Sequence, residues 1–207
     1  MTAPFEQNGF YALAPGKLGV LTIYFERKAP FPEKTLSWPE NLRIEKLGPS
    51  DIERYRALFK SVGGPWLWVS RLKFSNQELV TILSHPKIDA FALTDGKEDI
   101  GILELDHREH EEEGAEIRYL GLVPHAMNKG LGPRLMAYAF NEARAKSVKR
   151  LWLHSCHIDA PGSASFYQSQ DFHATRSAIE ILDDPRISGH LPRDIAPHVP
   201  LIEAHEA

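Results

Sequence analysis

Short apolar or alternating stretches, rich in β-branched and aromatic residues, predict the strands of this chain. They lie at residues 20–25, 42–47, 88–95, 99–106, 115–124, 150–158 and 173–182. Only Gly-Lys-Glu separates the third strand from the fourth, and a charged segment at 107–114 joins the fourth to the fifth. Strands that follow one another through such short links favour an antiparallel meander.

Apolar residues at helical spacing predict helices at 51–62, 75–85, 130–147 and 161–170. Ser50 is positioned to cap the first helix, with Glu53 completing a capping box, and Ser75 to cap the second. The order of elements predicts one α/β domain at 41–182. Residues 1–40 form an N-terminal extension with a strand and a proline-rich connector, and residues 183–207 form a C-terminal surface tail.

Composition narrows the classes of protein that this sequence fits. With 25% charged residues and a net charge of −4, it lacks the basic surplus of a dedicated nucleic-acid binder. One cysteine, Cys156, excludes an intrachain disulfide and suits a reducing compartment. No stretch approaches the roughly 20 apolar residues of a membrane span, and residues 1–19 lack signal-peptide features. We expect a cytoplasmic protein without nucleic-acid or membrane partners.

The stretch HAMNKGLGPRLMAYAF places two glycines where a predicted strand turns into a helix. The first N–H groups of a helix lack partners and, with the helix dipole, attract anions. Gly130 and Gly132 permit a close backbone approach, Pro133 suits an early helical position, and Lys129 and Arg134 add positive charge. The turn is therefore a candidate phosphate cradle. The alternative is that its glycines serve only the geometry of a tight turn.

The longer segment AEIRYLGLVPHAMNKGLGPRLMAYAF resembles the acetyl-CoA-binding segment of the GNAT superfamily of N-acetyltransferases. That family's pattern is Gln/Arg-x-x-Gly-x-Gly/Ala after a strand that ends in a Val-x-Pro-like turn. Residues 127–132 here are Met-Asn-Lys-Gly-Leu-Gly, so Met127 stands where the family has a polar side chain. The backbone amides of the turn are retained.

A second segment, HIDAPGSASFYQSQDF, is similar to the family's Asp-x-Pro-x-x-Ala-x-x-Phe-Tyr-x-x-x-Gly-Phe pattern. Its matching positions are Asp159, Pro161, Phe166, Tyr167 and Phe172. Asp171 departs from the pattern, because it stands where glycine is usual. Together the two segments extend the resemblance over roughly residues 42–182.

The chain also resembles a bacterial subgroup of the family that carries a VGxxWxWxxR-like stretch. The corresponding residues here are Val62, Gly63, Trp66, Trp68 and Arg71. The resemblance implies the family's fold, an α/β architecture with a central mixed, mostly antiparallel twisted sheet flanked by helices. It also implies direct transfer of an acetyl group from acetyl-CoA, as co-substrate, to a primary amine of a small molecule or peptide.

The resemblance assigns the general acid to Tyr167, which would protonate the departing thiolate. The alternative is that Tyr167 packs against its helix and bonds only the backbone. For the base, the family uses a strand carboxylate, and we rank Glu116 first, Glu104 second and Asp106 third. Alternation on a strand would place Glu116 on one face with Arg118, Leu120 and Leu122. The alternative for each carboxylate is a solvated or salt-bridged strand residue.

The remaining site residues also follow from the resemblance. Backbone groups of Leu122 and Val123 would pair with the pantetheine arm of the cofactor, opposite Asp159 and Ser163. For Asp159, a helix N-cap is an equal alternative. The turn itself would bind the phosphates through Asn128, Lys129, Gly130, Leu131, Gly132, Pro133 and Arg134. Trp66, Trp68 and Arg71 would line the acceptor pocket, with core packing as the alternative.

Three further hypotheses are set against this assignment. The run His-Ser-Cys-His at 154–157 has metal-binding residue types, but neighbours on a strand point to opposite faces and no second ligand pair stands at a standard spacing. We therefore expect no metal. The rival function is a non-catalytic acyl-CoA-binding or sensor domain. A purely structural domain, with its N-terminal strand pairing across a homodimer, is the weakest hypothesis.

Overall fold

A computed structural model of the chain describes residues 8–33, 38–108 and 114–203, so parts of the predicted extension, charged link and tail lie outside it. The predicted strands form one sheet, in the order β2-β3-β4-β5-β6-β1-β7. Neighbouring strands are antiparallel, except for the parallel pair β5–β6. The expected mixed, mostly antiparallel sheet is confirmed. The strands are β1 (Lys17–Lys28), β2 (Arg43–Leu47), β3 (Ile88–Thr94), β4 (Asp99–Asp106), β5 (Gly114–Leu122), β6 (Arg150–Cys156) and β7 (His173–Asp183).

Helices cover both faces of the sheet, which explains why β4 is buried on both sides. The helices are α1 (Ile52–Gly63), α2 (Asn76–Leu83), α3 (Leu131–Ala145) and α4 (Ser163–Ser169). Ile102 of β4 belongs to the core formed with α1 and α2. Its neighbours Leu103 and Leu105 belong to the core formed with α3 and α4. Among the described residues, no helix is both long enough and apolar enough to cross a membrane.

The two predicted helix caps have different outcomes. Ser75 caps α2 as predicted, because its hydroxyl oxygen accepts a hydrogen bond from the N–H of Glu78 and the Glu78 carboxylate accepts one from the N–H of Ser75. The prediction for Ser50 was wrong. A 3₁₀ turn at Pro49–Asp51 precedes α1, and the Asp51 carboxylate accepts a hydrogen bond from the N–H of Gly48 at 2.9 Å. The capping contact therefore lies two residues earlier in the chain than predicted.

The N-terminal strand β1 is an internal strand of the sheet. It pairs with β6 on one side, where Thr22 faces Cys156, and with β7 on the other, where Leu21 faces Ile179. Both of its hydrogen-bonding edges are therefore occupied within the chain. The hypothesis that this strand pairs across a dimer was wrong for that reason.

A β-bulge interrupts β5 at Arg118. Glu104 of β4 pairs with Tyr119 and the next residue, Leu105, pairs with Ile117, so Arg118 has no partner on β4. The extra residue reverses the alternation of side chains. Ile117 accordingly packs in the core under α3, whereas Tyr119 packs in the core under α1.

The C-terminal segment that follows β7 packs against the sheet and contributes to a third apolar cluster. Leu191 and Ala196 are buried there against Val20 of β1 and Leu67. Arg186, only 3% exposed, fixes the segment. It donates to the Asp184 carboxylate at 2.7 and 3.0 Å and to the carbonyl of Val199 at 2.7 Å. The expected surface tail is thus partly buried.

Candidate active site

Two cavities lie where β5 and β6 separate. The described pairing of these parallel strands covers only Gly114–Glu116 of β5, and the β5 residues that line the cavities follow it. The sheet cavity, about 500 Å³, is lined by β1, β5, β6 and β7. The turn cavity, about 480 Å³, is lined by the glycine turn and α4. They share a wall formed by Trp66, Trp68, Leu120, Asp159 and Tyr167.

The glycine turn bounds the turn cavity and begins α3. Gly130 is the N-cap of α3 with φ of 71°, a left-handed conformation that favours glycine, and Asn128 precedes it at 60°. Among the described residues, the N–H groups of Asn128, Gly130, Leu131 and Gly132 have no recorded backbone acceptor. Consecutive unpaired amides at the positive end of a 15-residue helix suit a phosphate group.

The predicted turn residues differ in their relation to the cavity. Asn128, Gly130, Gly132 and Pro133 line it, as do Leu122 on β5 and Ser163 on α4. Lys129, Leu131 and Arg134 do not line it. Lys129 is exposed, Leu131 is buried in the core, and the Arg134 guanidinium donates to the carbonyl of Gly130 at 2.9 Å.

Val123 does not have the position expected of it. Its side chain is 5% exposed and lines neither cavity. Its N–H donates to the carbonyl of Ile100 at 3.0 Å. This bond continues the antiparallel pairing of β5 with β4, so the N–H of Val123 is already used and does not remain for a pantetheine arm.

Tyr167 stands at the junction of the two cavities. Its ring packs against Phe25 and Phe166, with centroids 6.0 and 5.3 Å away. The side chain is 9% exposed, and its hydroxyl has no hydrogen-bond partner among the described residues. Burial, assisted by the Asp159 carboxylate, raises the pKa of Tyr167 well above its usual value. The alternative in which its hydroxyl bonds the backbone was therefore wrong.

The Asp159 carboxylate in the shared wall accepts three hydrogen bonds. One carboxylate oxygen accepts from the Trp68 indole N–H at 3.0 Å. The other accepts from the N–H of Cys156 at 2.8 Å and from the Ser155 hydroxyl at 2.9 Å. The alternative of an N-cap was wrong, because Gly162 is the N-cap of α4 and no side chain bonds there.

Trp68 lines the cavities and also packs on the core, whereas Trp66 lines them and contacts His198. Trp66 and Trp68 line both cavities, and Trp68 also packs on Tyr119 and Phe59 at 5.4 and 5.8 Å. A side chain at Gly63 would come within 2.4 Å of the Trp68 ring. The ring is therefore held closely against α1, and its pocket-facing edge has a fixed position.

Arg71 and Glu104 lie away from both cavities, although we expected them at the acceptor pocket and as a base. Glu104 is fully buried and accepts from the Tyr55 hydroxyl and the Arg71 guanidinium. The Arg71 Nε also donates to the Tyr55 hydroxyl at 3.0 Å. Burial and the adjacent Glu104 carboxylate raise the pKa of Tyr55 well above its usual value. This closed network joins α1 to β4.

The other two carboxylates are also paired with arginines. Asp106 is held by Arg108 at 2.6 Å, which keeps the pKa of Asp106 below its usual value although burial opposes that shift. Both Glu116 oxygens lie 3.0 Å from Nη1 of Arg118. We predicted that Glu116, Arg118, Leu120 and Leu122 share one face of β5. This was wrong in part, because the bulge at Arg118 turns Leu120 toward the core under α3.

Sequence reasoning missed the histidine that approaches Glu116. His154 lines the sheet cavity, and its Nδ1 lies 3.6 Å from the Glu116 carboxylate. We had considered His154 only as a metal ligand. A histidine on a strand next to a family-like segment was the available signal, but the parallel pairing that brings β6 beside Glu116 is not local in sequence.

Comparison with known proteins agrees with this geometry. A family model described as the acetyltransferase (GNAT) family matches residues 56–172. A search of curated proteins finds no match. Among solved structures, a functionally unknown conserved protein from Staphylococcus epidermidis has a TM-score of 0.60 at 15% identity. The alignment covers 82% of this chain and 63% of that one.

Two solved acetyltransferases have the same fold. An aminoglycoside acetyltransferase from an uncultured soil metagenomic sample has a TM-score of 0.56 at 17% identity, covering 67% of this chain and 93% of its own. The PaiA N-acetyltransferase from Thermoplasma acidophilum, solved with coenzyme A, has a TM-score of 0.51 at 20% identity. That alignment covers 62% of this chain and 87% of the PaiA chain. At these identities the likeness concerns the fold. Because the family model spans more than half of its length, the chain belongs to the GNAT acetyltransferase family.

Proposed function

We propose that this protein transfers an acetyl group from acetyl-CoA directly to a primary amine of a small molecule or peptide. The observation that supports the proposal is the pair of cavities that meet at Tyr167. One cavity ends at unpaired backbone amides suited to phosphate, and the other is lined by polar groups of four strands. Direct transfer needs two reactants to meet at one point, and proximity supplies much of the rate.

The glycine turn would hold the pyrophosphate of acetyl-CoA, which supplies an activated thioester when bound. The N–H groups of Asn128, Gly130, Leu131 and Gly132 have no competing backbone partner among the described residues. Arg134, folded beside Gly130, adds positive charge at the same end of α3. Leu122 and Ser163, on opposite sides of the turn cavity, would border the pantetheine arm.

Tyr167 is the proposed general acid. Its raised pKa keeps the hydroxyl protonated at neutral pH, so a proton is available for the departing thiolate. Tyr167 lines both cavities, and its hydroxyl has no hydrogen-bond partner among the described residues. No hydrogen bond within the protein therefore competes with one to the reacting groups.

Glu116 is the proposed carboxylate on the base side, and it would act through His154. Glu116 lines neither cavity, whereas His154 lines the sheet cavity and lies beside it. Histidine is the usual general base in enzymes, and a carboxylate behind it fixes its orientation. Glu104 and Asp106 are each bound by an arginine away from the cavities.

The solved relatives support a small-molecule acceptor. One is an aminoglycoside acetyltransferase, and another was solved with coenzyme A. We carry over the co-substrate and the size class of acceptor, and no particular amine. Neither a metal nor a homodimer has a part in this proposal.

The first test is acetyl-CoA binding, followed by turnover. At 100 times its dissociation constant a ligand adds about 2.7 kcal/mol, which raises Tm by roughly 5–10 °C for a domain of this size. Release of the CoA thiol with a panel of primary amines would then report transfer. Binding without turnover on any amine would favour the sensor alternative, and no binding at millimolar acetyl-CoA would contradict both functions.

A further inference from the structure

Few charged side chains line the sheet cavity, and they differ in whether they remain available to an acceptor. Among the described residues that line it, Arg118, Asp159 and Glu180 carry full charges and His154 can become charged. Both oxygens of Asp159 already accept hydrogen bonds from the wall. This leaves one carboxylate, Glu180, and one guanidinium, Arg118, to meet an acceptor. A polycationic amine would require more carboxylates than this lining provides.

Arg118 is prepared to bind an anion. The bulge leaves it without a partner on β4, and its side chain, 35% exposed, lines the sheet cavity. Nη1 is anchored on the Glu116 carboxylate at 3.0 Å. Nε and Nη2 donate to no described residue. A guanidinium held at one nitrogen, with two donors remaining, matches the two oxygens of a carboxylate.

The rest of the lining favours a small acceptor with an apolar part. Trp66, Tyr24 and Tyr119 supply aromatic surface, and about 500 Å³ is within the usual range for small-molecule sites. Glu180, on the β7 side of the cavity, is the free carboxylate for an ammonium group. Arg176 lies outside the lining, with its guanidinium 3.5 Å from the centroid of the Tyr24 ring.

We infer that the acceptor is a primary amine that also carries a carboxylate, as in an amino acid or a short peptide with a free C-terminus, and that Arg118 binds this carboxylate. The inference rests on the proposed acetyltransferase function and specifies its substrate class. Arg118 is then the residue that determines specificity. Its ion pair with Glu116 fixes the direction in which the Nε and Nη2 donors point.

The test compares acceptors that differ only in the carboxylate. With acetyl-CoA, kcat/KM is measured for the standard amino acids, their C-terminal amides and glycyl dipeptides with free or amidated C-termini. For the best acceptor we expect the acid to exceed its amide by about 10-fold or more, the effect of a charge-assisted pair. The free amino acids and the dipeptides separate the two sources of the same chemistry.

Variants then assign the effect to Arg118. Arg118→Gln should bring the acid-to-amide ratio close to one, chiefly by raising KM for the acid, and the ratio is read within the variant because Arg118 also holds Glu116. Arg176→Gln, which removes a neighbouring guanidinium outside the lining, should leave the ratio unchanged. If Arg118→Gln does not fold, the ratio of the wild-type protein decides alone.

Each result has a separate meaning. Amides that match acids in the wild-type protein would overturn the inference and leave the acetyltransferase proposal standing. A ratio that survives in a folded Arg118→Gln would likewise overturn the role of Arg118. Absence of acetyl-CoA binding, seen as an unchanged Tm, would overturn the proposed function itself and this inference with it.

Discussion

Tyr167 lines both cavities, and the proposed chemistry depends on its hydroxyl. Its position was predictable from a short pattern in sequence, because the Phe-Tyr pair at 166–167 lies within a family-like segment. The partners of Asp159, which lies in the same wall, were not predictable, because its carboxylate accepts from Trp68, 91 positions earlier in the chain.

Replacing Tyr167 by Phe tests this assignment. We expect kcat to fall about 100-fold or more, the usual contribution of a positioned general acid, while the Tm shift with acetyl-CoA is unchanged. Tyr138→Phe is the matched control, because it removes a tyrosine hydroxyl from α3 at a position that lines neither cavity. Equal turnover of Tyr167→Phe and the control would exclude the assignment.

The pH dependence of kcat provides a second test of Tyr167. A tyrosine works as an acid only below its pKa, and burial together with Asp159 disfavours the ionised form, which raises that pKa. We therefore expect no alkaline decline of kcat up to about pH 10, the ordinary pKa of tyrosine. A decline centred near pH 8 or 9, in a protein shown by circular dichroism to be folded, would contradict this expectation.

At the scale of elements, periodicity predicted the strands and helices well, because each is recorded in a local pattern. Periodicity could not predict the bulge at Arg118. Alternation along 115–124 is compatible with an unbroken strand, and the slip appears only when β5 is paired with β4. For the same reason, sequence could name the carboxylates but could not show that arginines hold them.

The glycine turn permits a prediction about an element. Gly130→Ala should cost roughly 1 kcal/mol of stability, because alanine is strained at the φ of 71° found there. We also expect acetyl-CoA to bind about tenfold more weakly, since the turn would rearrange. Titration calorimetry measures the affinity, and urea unfolding the stability.

Gly189 offers a control with the same backbone strain. Its φ is 76°, and no atom lies within 4 Å of an added Cβ. Gly189→Ala should lose similar stability and keep full affinity for acetyl-CoA. Equal loss of affinity in both variants would mean that general destabilisation, and no particular feature of the turn, explains the effect.

At the scale of the whole molecule, the C-terminal segment packs against residues that line the site. The ring centroids of His198 and Trp66 are 5.6 Å apart, and Leu191 packs with Leu67, the residue that follows Trp66. Sequence gave no indication of this contact, because the segment has few apolar runs and its anchor is a buried ion pair. The partners of that pair, Asp184 and Arg186, are separated by one proline.

Loss of that anchor should have a large effect. Arg186→Met would leave Asp184 buried without its partner, which costs about 3–5 kcal/mol in urea unfolding. Arg193→Met removes an exposed arginine paired with Glu203 and should cost less than about 1 kcal/mol. Similar costs for the two variants would mean that the segment does not depend on the buried pair.

The placement of β1 has a consequence for the order in which the protein can be built. The ribosome makes residues 17–28 well before the strands on either side of them, at 150–156 and 173–183. The nascent strand must therefore remain unpaired until residue 150 and beyond have emerged, with apolar residues such as Val20 and Phe25 uncovered. During translation the sheet cavity, which needs β1, β6 and β7 together, consequently forms only after the other strands of the sheet have been made.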